Sequence, residues 1–470
     1  MINRNRHFNR GRLALPSPAV RAAQPAPQTR WVHDGGYVIL ITALIWLIFY
    51  QNLPSNLSGY AGVGEGAAFG AANQLDRFIK LFMIAVSSYL IVVRWQLVRN
   101  LLKVMNPGLL GFFVLAPVSV LWSISPGDTV LRFISLAAML LVCFACTLVS
   151  WHPRRFQQVL LPPVMLIFLA SLAIGAVEPN WVIEYGDDIA LKNSWHGVTH
   201  GKNEFGMLSG FGVLLCAHGW FSREGRTGWY MAGTAIAFLC LSLSRSNTSM
   251  FATVLALVCM FLLIRSKIVA RSFTATLAYG VSILILVYEM IIQGLIPGVD
   301  VLLAPIMGLT GKDTTFSART TIWMVVKQHI ALSPYIGSGF GAYWIGALPE
   351  SPSYIFLSIM YLYPTESHNG YLEVVNDLGY LGLGVVLVFL YFYVRQSLQL
   401  MRTDRSQGAL FLALLFLEMV VNMSESDWFS RSNTFTMLAL ASVCLSRGLF
   451  DAKLRGEYET EPQGRVALSR

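Results

Sequence analysis

The stretch TESHNGYLEVVNDLGYLGLGVVLVFLYFYV, residues 365–394, leads from a polar cluster directly into an apolar segment. From residue 376 onwards it has the length and hydrophobicity of a helix that crosses a bilayer. On a helix that begins at residue 368, His368, Gly379 and Gly382 share one face, and glycines on such a face allow a neighbouring helix to approach closely. The stretch therefore predicts a membrane helix bundle with a histidine at the mouth of one span.

The composition of the whole chain is that of a membrane protein. Of the 470 residues, 55% are hydrophobic and only 13% are charged, and the mean hydropathy is +0.57. A soluble globular protein has about 25% charged residues. The six cysteines all lie within apolar runs, so neither a metal site nor a redox site is expected from them. The net charge of +9 has no basic and aromatic module beside it, so nucleic acid is not an expected partner.

Twelve apolar segments predict an all-α fold, a polytopic membrane helix bundle of about 12 transmembrane helices. Most of the 34 lysines and arginines fall in alternate connections, which places both termini in the cytoplasm. The predicted segments are approximately residues 36–53, 78–95, 107–123, 129–150, 157–177, 203–221, 228–245, 247–265, 274–297, 376–395, 408–423 and 431–449.

The connections divide the chain into five parts. Residues 1–35 form a basic tail that is predicted to be disordered, 36–297 hold spans one to nine, 298–367 form a large periplasmic loop, 368–450 hold spans ten to twelve, and 451–470 form a cytoplasmic tail. Within the large loop, SARTTIWMVVKQHIA has the spacing of a helix, and the short apolar run SYIFLSIMYLY predicts a helix that lies on the membrane surface.

Several cationic and polar residues lie at the predicted outer ends of the spans, where ionisable groups are costly and often functional. Arg245 lies in the tight turn LSLSRSNTS, Arg319 begins the loop helix, and Lys202 and Asn203 open the sixth span. A structural explanation stays open for each of them. Arg245 could be a snorkelling side chain, Arg319 a solvated loop charge, and the Lys-Asn pair an ordinary helix start.

His368 is the one histidine that the helical spacing aims into the bundle. Ser367 or Asn369 could cap the helix beside it, where backbone N–H groups also favour anions. The structural alternative is a histidine that only satisfies a helix end. A chemical role is the other interpretation, because imidazole exchanges protons near neutral pH.

Two further patterns favour structural interpretations. GSGFGAYW, residues 337–344, has three alternating glycines without the flanking pattern of a phosphate-binding loop, so a tight loop is the preferred prediction. The carboxylate pairs Asp187–Asp188 and Glu425-x-Asp427 have no supporting ligands in the sequence. No metal and no cofactor is therefore predicted.

Four stretches together resemble the O-antigen ligase and polymerase superfamily. His368-Asn369, followed after nine residues by Gly379-x-x-Gly382, resembles its outer-loop signature. LSLSRSNTS resembles its Ser-Arg turn, and FSARTTIW with SPYIGSGFGAYW resembles its arginine helix and Pro…Gly-x-Gly loop. HGVTHGKNEFG resembles the Lys-Asn helix start of exopolysaccharide polymerases. The likeness extends over roughly residues 195–440.

The resemblance implies a GT-C-like glycosyltransferase of the bacterial inner membrane, with an active site that faces the periplasm. The donor would be a glycan on polyprenyl (undecaprenyl) diphosphate, and arginines would stabilise the departing diphosphate. By matched position, the implied residues are His368 as the catalytic base and Arg245, Arg319 and Lys202 at the diphosphate, with Asn203, Asn369 and Glu425 as further candidate helpers.

Three functions remain open at this point. A polymerase would join repeat units on the lipid carrier in exopolysaccharide or O-antigen synthesis, and the Lys-Asn helix start favours this one. A ligase would move finished glycan to lipid A core. A lipid-linked glycan transporter or flippase would also have cations in a membrane cavity. Chain-length regulators and export proteins are further candidate partners beside the lipid bilayer.

Overall fold

We analysed a computed structural model of the chain. It describes residues 35–53, 74–149, 155–184, 193–222, 227–266, 269, 273–293, 317–346, 349, 351–360 and 363–454. Most of the predicted tails 1–35 and 451–470 (residues 1–34 and 455–470), the Asp187–Asp188 pair and the first part of the large loop up to residue 316 lie outside these residues.

Within the described residues the fold is helical, apart from one antiparallel two-stranded ladder in which Ile183 pairs with Trp195. Short 3₁₀ turns cover Ser119–Leu121, Pro179–Trp181 and Pro352–Tyr354. The α-helices are α1 Gly35–Gln51, α2 Gln74–Val93, α3 Trp95–Leu102, α4 Pro107–Val118, α5 Pro126–Leu148, α6 Arg155–Val177, α7 Lys202–Phe221, α8 Thr227–Ser244, α9 Asn247–Arg265, α10 Thr274–Ile292, α11 Ser317–Ile330, α12 Ile355–Met360, α13 Gly370–Leu400, α14 Arg405–Val421 and α15 Asn433–Leu454; the strands are β1 Ile183–Glu184 and β2 Ser194–Trp195.

The predicted all-α, polytopic membrane fold is confirmed, whereas the number of twelve spans is not. Each of the twelve predicted segments coincides with a helix. By length and composition, however, 7 of the described helices could cross a membrane, or 8 if α2 and α3 count as one span broken by a 92° bend. Four predicted spans account for the difference. The helices α1, α4 and α14 are too short by themselves, with 17, 12 and 17 residues, and α7 carries polar side chains along its length.

The bundle is centred on α14, whose residues from Gln407 to Val421 are all buried. It packs against α7, α9, α13 and α15. A helix that is apolar on all sides and surrounded by other helices belongs to the interior of a bundle rather than to its lipid-facing surface. Because α14 ends at Val421, the loop that follows it emerges from the middle of one face of the bundle.

The large loop forms a small hydrophobic core of its own on this face. The predicted helix of SARTTIWMVVKQHIA is confirmed as α11, which buries Ile322, Trp323 and Val326. These side chains pack with Tyr343, Trp344 and Phe356 of the loop and with Leu372 in the first turn of α13. Burial of several aromatic side chains stabilises such a cluster by a few kcal/mol each. The loop is therefore attached to the start of α13.

Gly379 breaks α13, which corrects the prediction that its glycines form a helix-packing face. Its φ of 62° and ψ of −162° are not helical, and a Cβ there would meet the backbone of Tyr335 at 2.2 Å. The N–H groups of Tyr380 and Leu381 donate to Pro334 O and Tyr335 O of the loop, at 2.8 and 3.1 Å. The glycine thus admits a loop, and the loop supplies the acceptors that a break leaves missing.

Candidate functional site

His368 lies just before α13, not on it as the helical spacing suggested. The helix begins at Gly370, and the Asn369 side chain caps it by accepting a hydrogen bond from Leu372 N at 2.9 Å. The predicted cap at Asn369 is therefore confirmed. His368 has a φ of 51°, a left-handed conformation that is uncommon outside glycine and that clusters at functional sites.

Two carboxylates lie beside the His368 ring. Its Nδ1 is 3.0 Å from Glu366 Oε1 and 3.6 Å from Glu425 Oε2, and the histidine side chain is 33% exposed. Burial alone would lower the pKa of the imidazole, but the two carboxylates outweigh it and raise the pKa from 6.5 to about 10. At neutral pH the resting His368 side chain is therefore a positively charged imidazolium.

Glu425 joins residues from three distant parts of the chain. Its Oε1 accepts hydrogen bonds from Asn203 Nδ2 at 2.7 Å and from Arg319 Nη2 at 2.8 Å, while its Oε2 faces His368. Asn203 lies in the first turn of α7, Arg319 in the first turn of α11, and Glu425 in the loop after α14. Four of the predicted site residues thus form one contiguous cluster on one face of the bundle.

The other two predicted cations lie close to this cluster. Lys202 is the first residue of α7, next to Asn203. Arg245 is an exposed residue with a φ of 51° in the turn between α8 and α9. Its neighbour Ser246 packs on α7 one turn into the helix, since a Cβ on Gly206 would lie 2.8 Å from Ser246 Cβ. The contacts of Glu425 described above involve Arg319 and Asn203, and the diphosphate-binding roles of Arg245 and Lys202 stay predictions.

Glu289 of α10 is a buried carboxylate that the sequence reasoning missed. Its Oε1 accepts from Asn369 Nδ2 at 2.7 Å and from Gln293 Nε2 at 2.9 Å, and the residue is 5% exposed. Glu289 therefore supports the residue next to His368. A single carboxylate near the end of an otherwise apolar span is the signal that could have identified it.

The first turn of α13 and the end of α14 with the loop after it fix the backbone on both sides of His368. Ser426 Oγ accepts from Asn369 N at 3.2 Å, and Ser367 N donates to Glu373 Oε2 at 3.0 Å. The N–H of Gly370 donates to Asn422 O at 2.8 Å. These bonds hold a left-handed residue in place, which offsets the conformational penalty of that backbone.

The glycine-rich segment 337–344 is the tight loop that the sequence predicted. Gly337, Gly339 and Gly341 all have positive φ. The N–H groups of Gly339 and Gly341 donate to the backbone oxygen and to Oδ2 of Asp377 in α13, at 2.8 and 2.6 Å. Because these two amides bind the helix, the segment serves as the clamp over the break at Gly379.

The ligand-type atoms of Glu366, His368 and Glu425 lie within 4.8 Å of one another, a spacing that could hold a metal ion. Sequence reasoning had considered Glu425 with Asp427 instead. Asp427 is engaged within its own loop, where it accepts from Ser430 and Thr434. The Arg319 guanidinium already forms an ion pair with Oε1 of Glu425. It balances part of the negative charge that a metal ion would otherwise balance.

Two comparisons with known proteins bear on this arrangement. The protein family described as O-Antigen ligase matches residues 230–387, a range that includes the Arg245 turn, α11, the glycine-rich loop and His368. The chain is also 25% identical over 334 residues to "Exopolysaccharide production protein ExoQ" of Rhizobium meliloti (strain 1021). That alignment covers 67% of this chain and 71% of the relative.

Proposed function

We propose that the chain is a polymerase that joins glycan repeat units carried on polyprenyl diphosphate. Its similarity to the O-Antigen ligase family over residues 230–387 and to an exopolysaccharide production protein supports this proposal. The observation that carries the proposal is the cluster at Glu425. It brings a guanidinium, an amide and an imidazole together beside a membrane bundle. Transfer from a lipid diphosphate needs a cation at the leaving group and a proton acceptor at the attacking hydroxyl.

The proposed reaction is a displacement at the anomeric carbon of the donor sugar. The acceptor hydroxyl loses its proton to Nε2 of a neutral His368, and its oxygen forms the new glycosidic bond. The bond between the anomeric carbon and the diphosphate oxygen breaks, and its electron pair leaves with the lipid diphosphate. Arg319, with Arg245 and Lys202, takes the developing negative charge.

Arg319 can act in this way only by exchanging partners. In the resting site its guanidinium is paired with Glu425 at 2.8 Å, and both side chains are largely buried. A diphosphate offers more charge and more acceptor oxygens than one carboxylate, so a bound donor can compete for the guanidinium. Asn203 remains as a neutral partner for Glu425 after the exchange.

We place the reaction on the periplasmic face of the inner membrane, with both termini in the cytoplasm. The charge distribution of the connections supports this orientation. The site lies at the N-terminal end of α13 and beside the C-terminal end of α10. A lipid carrier could remain in the bilayer there while its diphosphate reaches the cluster. Chain-length regulators and export proteins stay candidate partners.

A ligase that transfers glycan to lipid A core is the second candidate, because the matching family is described as O-Antigen ligase. The description of ExoQ as an exopolysaccharide production protein favours the polymerase. Both reactions use the same donor chemistry, and they differ in the acceptor.

The acceptor can be tested with purified protein in lipid nanodiscs. The protein receives lipid-diphosphate repeat units with or without lipid A core, and the products are separated by size. A polymerase produces a ladder from the repeat units alone, whereas a ligase needs the core. A product that forms without any ion gradient argues against transport. Absence of any glycosidic product with either acceptor would contradict glycosyl transfer by this chain.

A further inference from the structure

Glu366 is a carboxylate at the centre of the site that neither the helical spacing nor the matched motifs assigned. It lies two residues before His368, and its Oε1 is 3.0 Å from His368 Nδ1. Its side chain is 32% exposed, so it faces the same opening as the imidazole. A carboxylate on one ring nitrogen determines which nitrogen carries the proton and which way the other nitrogen points.

The second carboxylate is less suited to this task. Glu425 Oε2 is 3.6 Å from the same nitrogen, and Glu425 Oε1 is already shared by Asn203 and Arg319. Its charge is therefore divided among several donors. Glu366 provides the shorter contact, and the residue between it and His368 is held by the bond from Ser367 N to Glu373 Oε2.

We propose that Glu366 is a positioning residue for glycosyl transfer, whose negative charge, 3.0 Å from Nδ1, keeps a proton on that nitrogen and so leaves Nε2 free to accept the proton of the acceptor hydroxyl. This inference rests on the proposed function. During the reaction, the acceptor proton moves to Nε2 while the other ring proton stays on Nδ1, beside the charge of Glu366. The carboxylate stabilises the imidazolium that results and does not itself become protonated.

The arrangement predicts how the rate of glycosyl transfer depends on pH. The charged groups that face the imidazole are Glu366 from the preceding loop and Glu425 from the loop after α14, with Arg319 of α11 behind Glu425. Glu289 of α10 contacts the neighbouring Asn369. Because the carboxylates favour the protonated ring, the pKa of His368 is about 10, and transfer should accelerate as the pH rises towards that value.

The experiment compares wild type, Glu366→Gln and Glu366→Asp in nanodiscs, with lipid-diphosphate repeat units over a range of pH. Glu366→Gln should lower kcat by about 10- to 100-fold, because the amide no longer fixes the tautomer, and should leave KM within about twofold. The rising limb of its pH profile should move down by about one unit or more, since one anion is gone. Glu366→Asp should recover part of kcat. Glu178→Gln, an exposed carboxylate after α6, is the matched control.

A second measurement does not need the reaction. Diethylpyrocarbonate modifies only neutral imidazole, so the pH dependence of His368 modification, followed by mass spectrometry, reports the charge coupling directly. The midpoint should fall in Glu366→Gln and stay in place in Glu178→Gln. An unchanged midpoint, or a kcat loss that is equal at every pH, overturns the inference. Absence of glycosidic product from wild type, together with a shifted midpoint, counts against the proposed function and leaves the Glu366–His368 pairing supported.

Discussion

At the scale of single residues, the site depends on a histidine in a backbone conformation that most residues avoid. His368 has a φ of 51°, between a serine and an asparagine whose backbones are held by hydrogen bonds from neighbouring segments. A substitution that tests its chemistry should therefore keep this conformation accessible. Asparagine is suitable, because it adopts left-handed φ more readily than most side chains.

We expect His368→Asn to lower the rate of glycosyl transfer by about 10²- to 10⁴-fold, the range that a positioned general base contributes. The amount of folded protein should be unchanged. Product formation in nanodiscs gives the rate, and size-exclusion chromatography gives the folded fraction. His200→Asn, a change of an exposed histidine just before α7, is the control and should keep wild-type activity. Full activity in His368→Asn would remove the proposed base.

Arg319→Lys should lower kcat/KM for the lipid-linked donor by about 10- to 100-fold. An ammonium cannot form the bidentate contact of a guanidinium. The hydrogen bond that is lost, to a charged group, contributes about 1.5–3 kcal/mol. The lysine can still pair with Glu425, so the fold should persist. Steady-state kinetics at varied donor concentration measure the effect. The control is Arg402→Lys at an exposed position after α13. Equal losses in both variants would contradict a specific role for Arg319.

Some of these contacts could be predicted from sequence and others could not. The difference is how far apart the two partners lie along the chain. The Asn369 cap depends on spacing within one turn, so local pattern was enough. The bond between Arg319 and Glu425 joins positions 106 residues apart, and a single sequence records no such proximity. Glu366 lies beside the histidine in the opening stretch, but only the coordinates show that its carboxylate reaches the ring.

At the scale of elements, α13 is the helix that differs most from its sequence prediction. Hydrophobicity located it, because apolar length is sufficient to identify a membrane helix. The break at Gly379 could not be inferred in the same way, since glycine is also frequent in unbroken membrane helices. What decides the break is the loop at Pro334–Tyr335, which is distant in sequence and supplies hydrogen-bond acceptors at that level.

Gly379→Ala and Gly384→Ala form a matched pair of tests within α13. At Gly379 the φ and ψ angles lie in a region that is essentially restricted to glycine, and the new Cβ would overlap the backbone of Tyr335. Alanine there should therefore destabilise the protein by at least about 1–3 kcal/mol. At Gly384 a Cβ meets nothing within 4 Å, so alanine should be neutral or stabilising by less than about 1 kcal/mol. Thermal unfolding in detergent measures both, and equal melting temperatures would contradict the break.

At the scale of the whole molecule, the proposed function requires one orientation in the membrane. The alternation of cations predicts it. A bundle without a bilayer has no intrinsic inside or outside, so orientation rests on the sequence. The all-α class could be predicted from composition, whereas the assembly of the site from α7, α11 and the loop after α14 required coordinates.

Cysteine labelling tests the orientation. The six native cysteines are buried and should not react with a membrane-impermeant maleimide. Gln328→Cys, on the exposed side of α11, should be labelled in cells whose outer membrane alone has been opened. Arg402→Cys, which follows the C-terminal end of α13, should be labelled only after the inner membrane is permeabilised. The reverse pattern would place the site in the cytoplasm.

The break at Gly379 also bears on how the protein is made. The N–H groups of Tyr380 and Leu381 find their acceptors in Pro334 and Tyr335, which the ribosome produces earlier and which, in the proposed orientation, must first cross the membrane. Until that segment folds back, the nascent span carries unpaired amides, which hydrocarbon tolerates poorly. Insertion of this span and docking of the translocated segment are therefore coupled events in biogenesis, and shortening the connection between them should delay maturation rather than alter the chemistry.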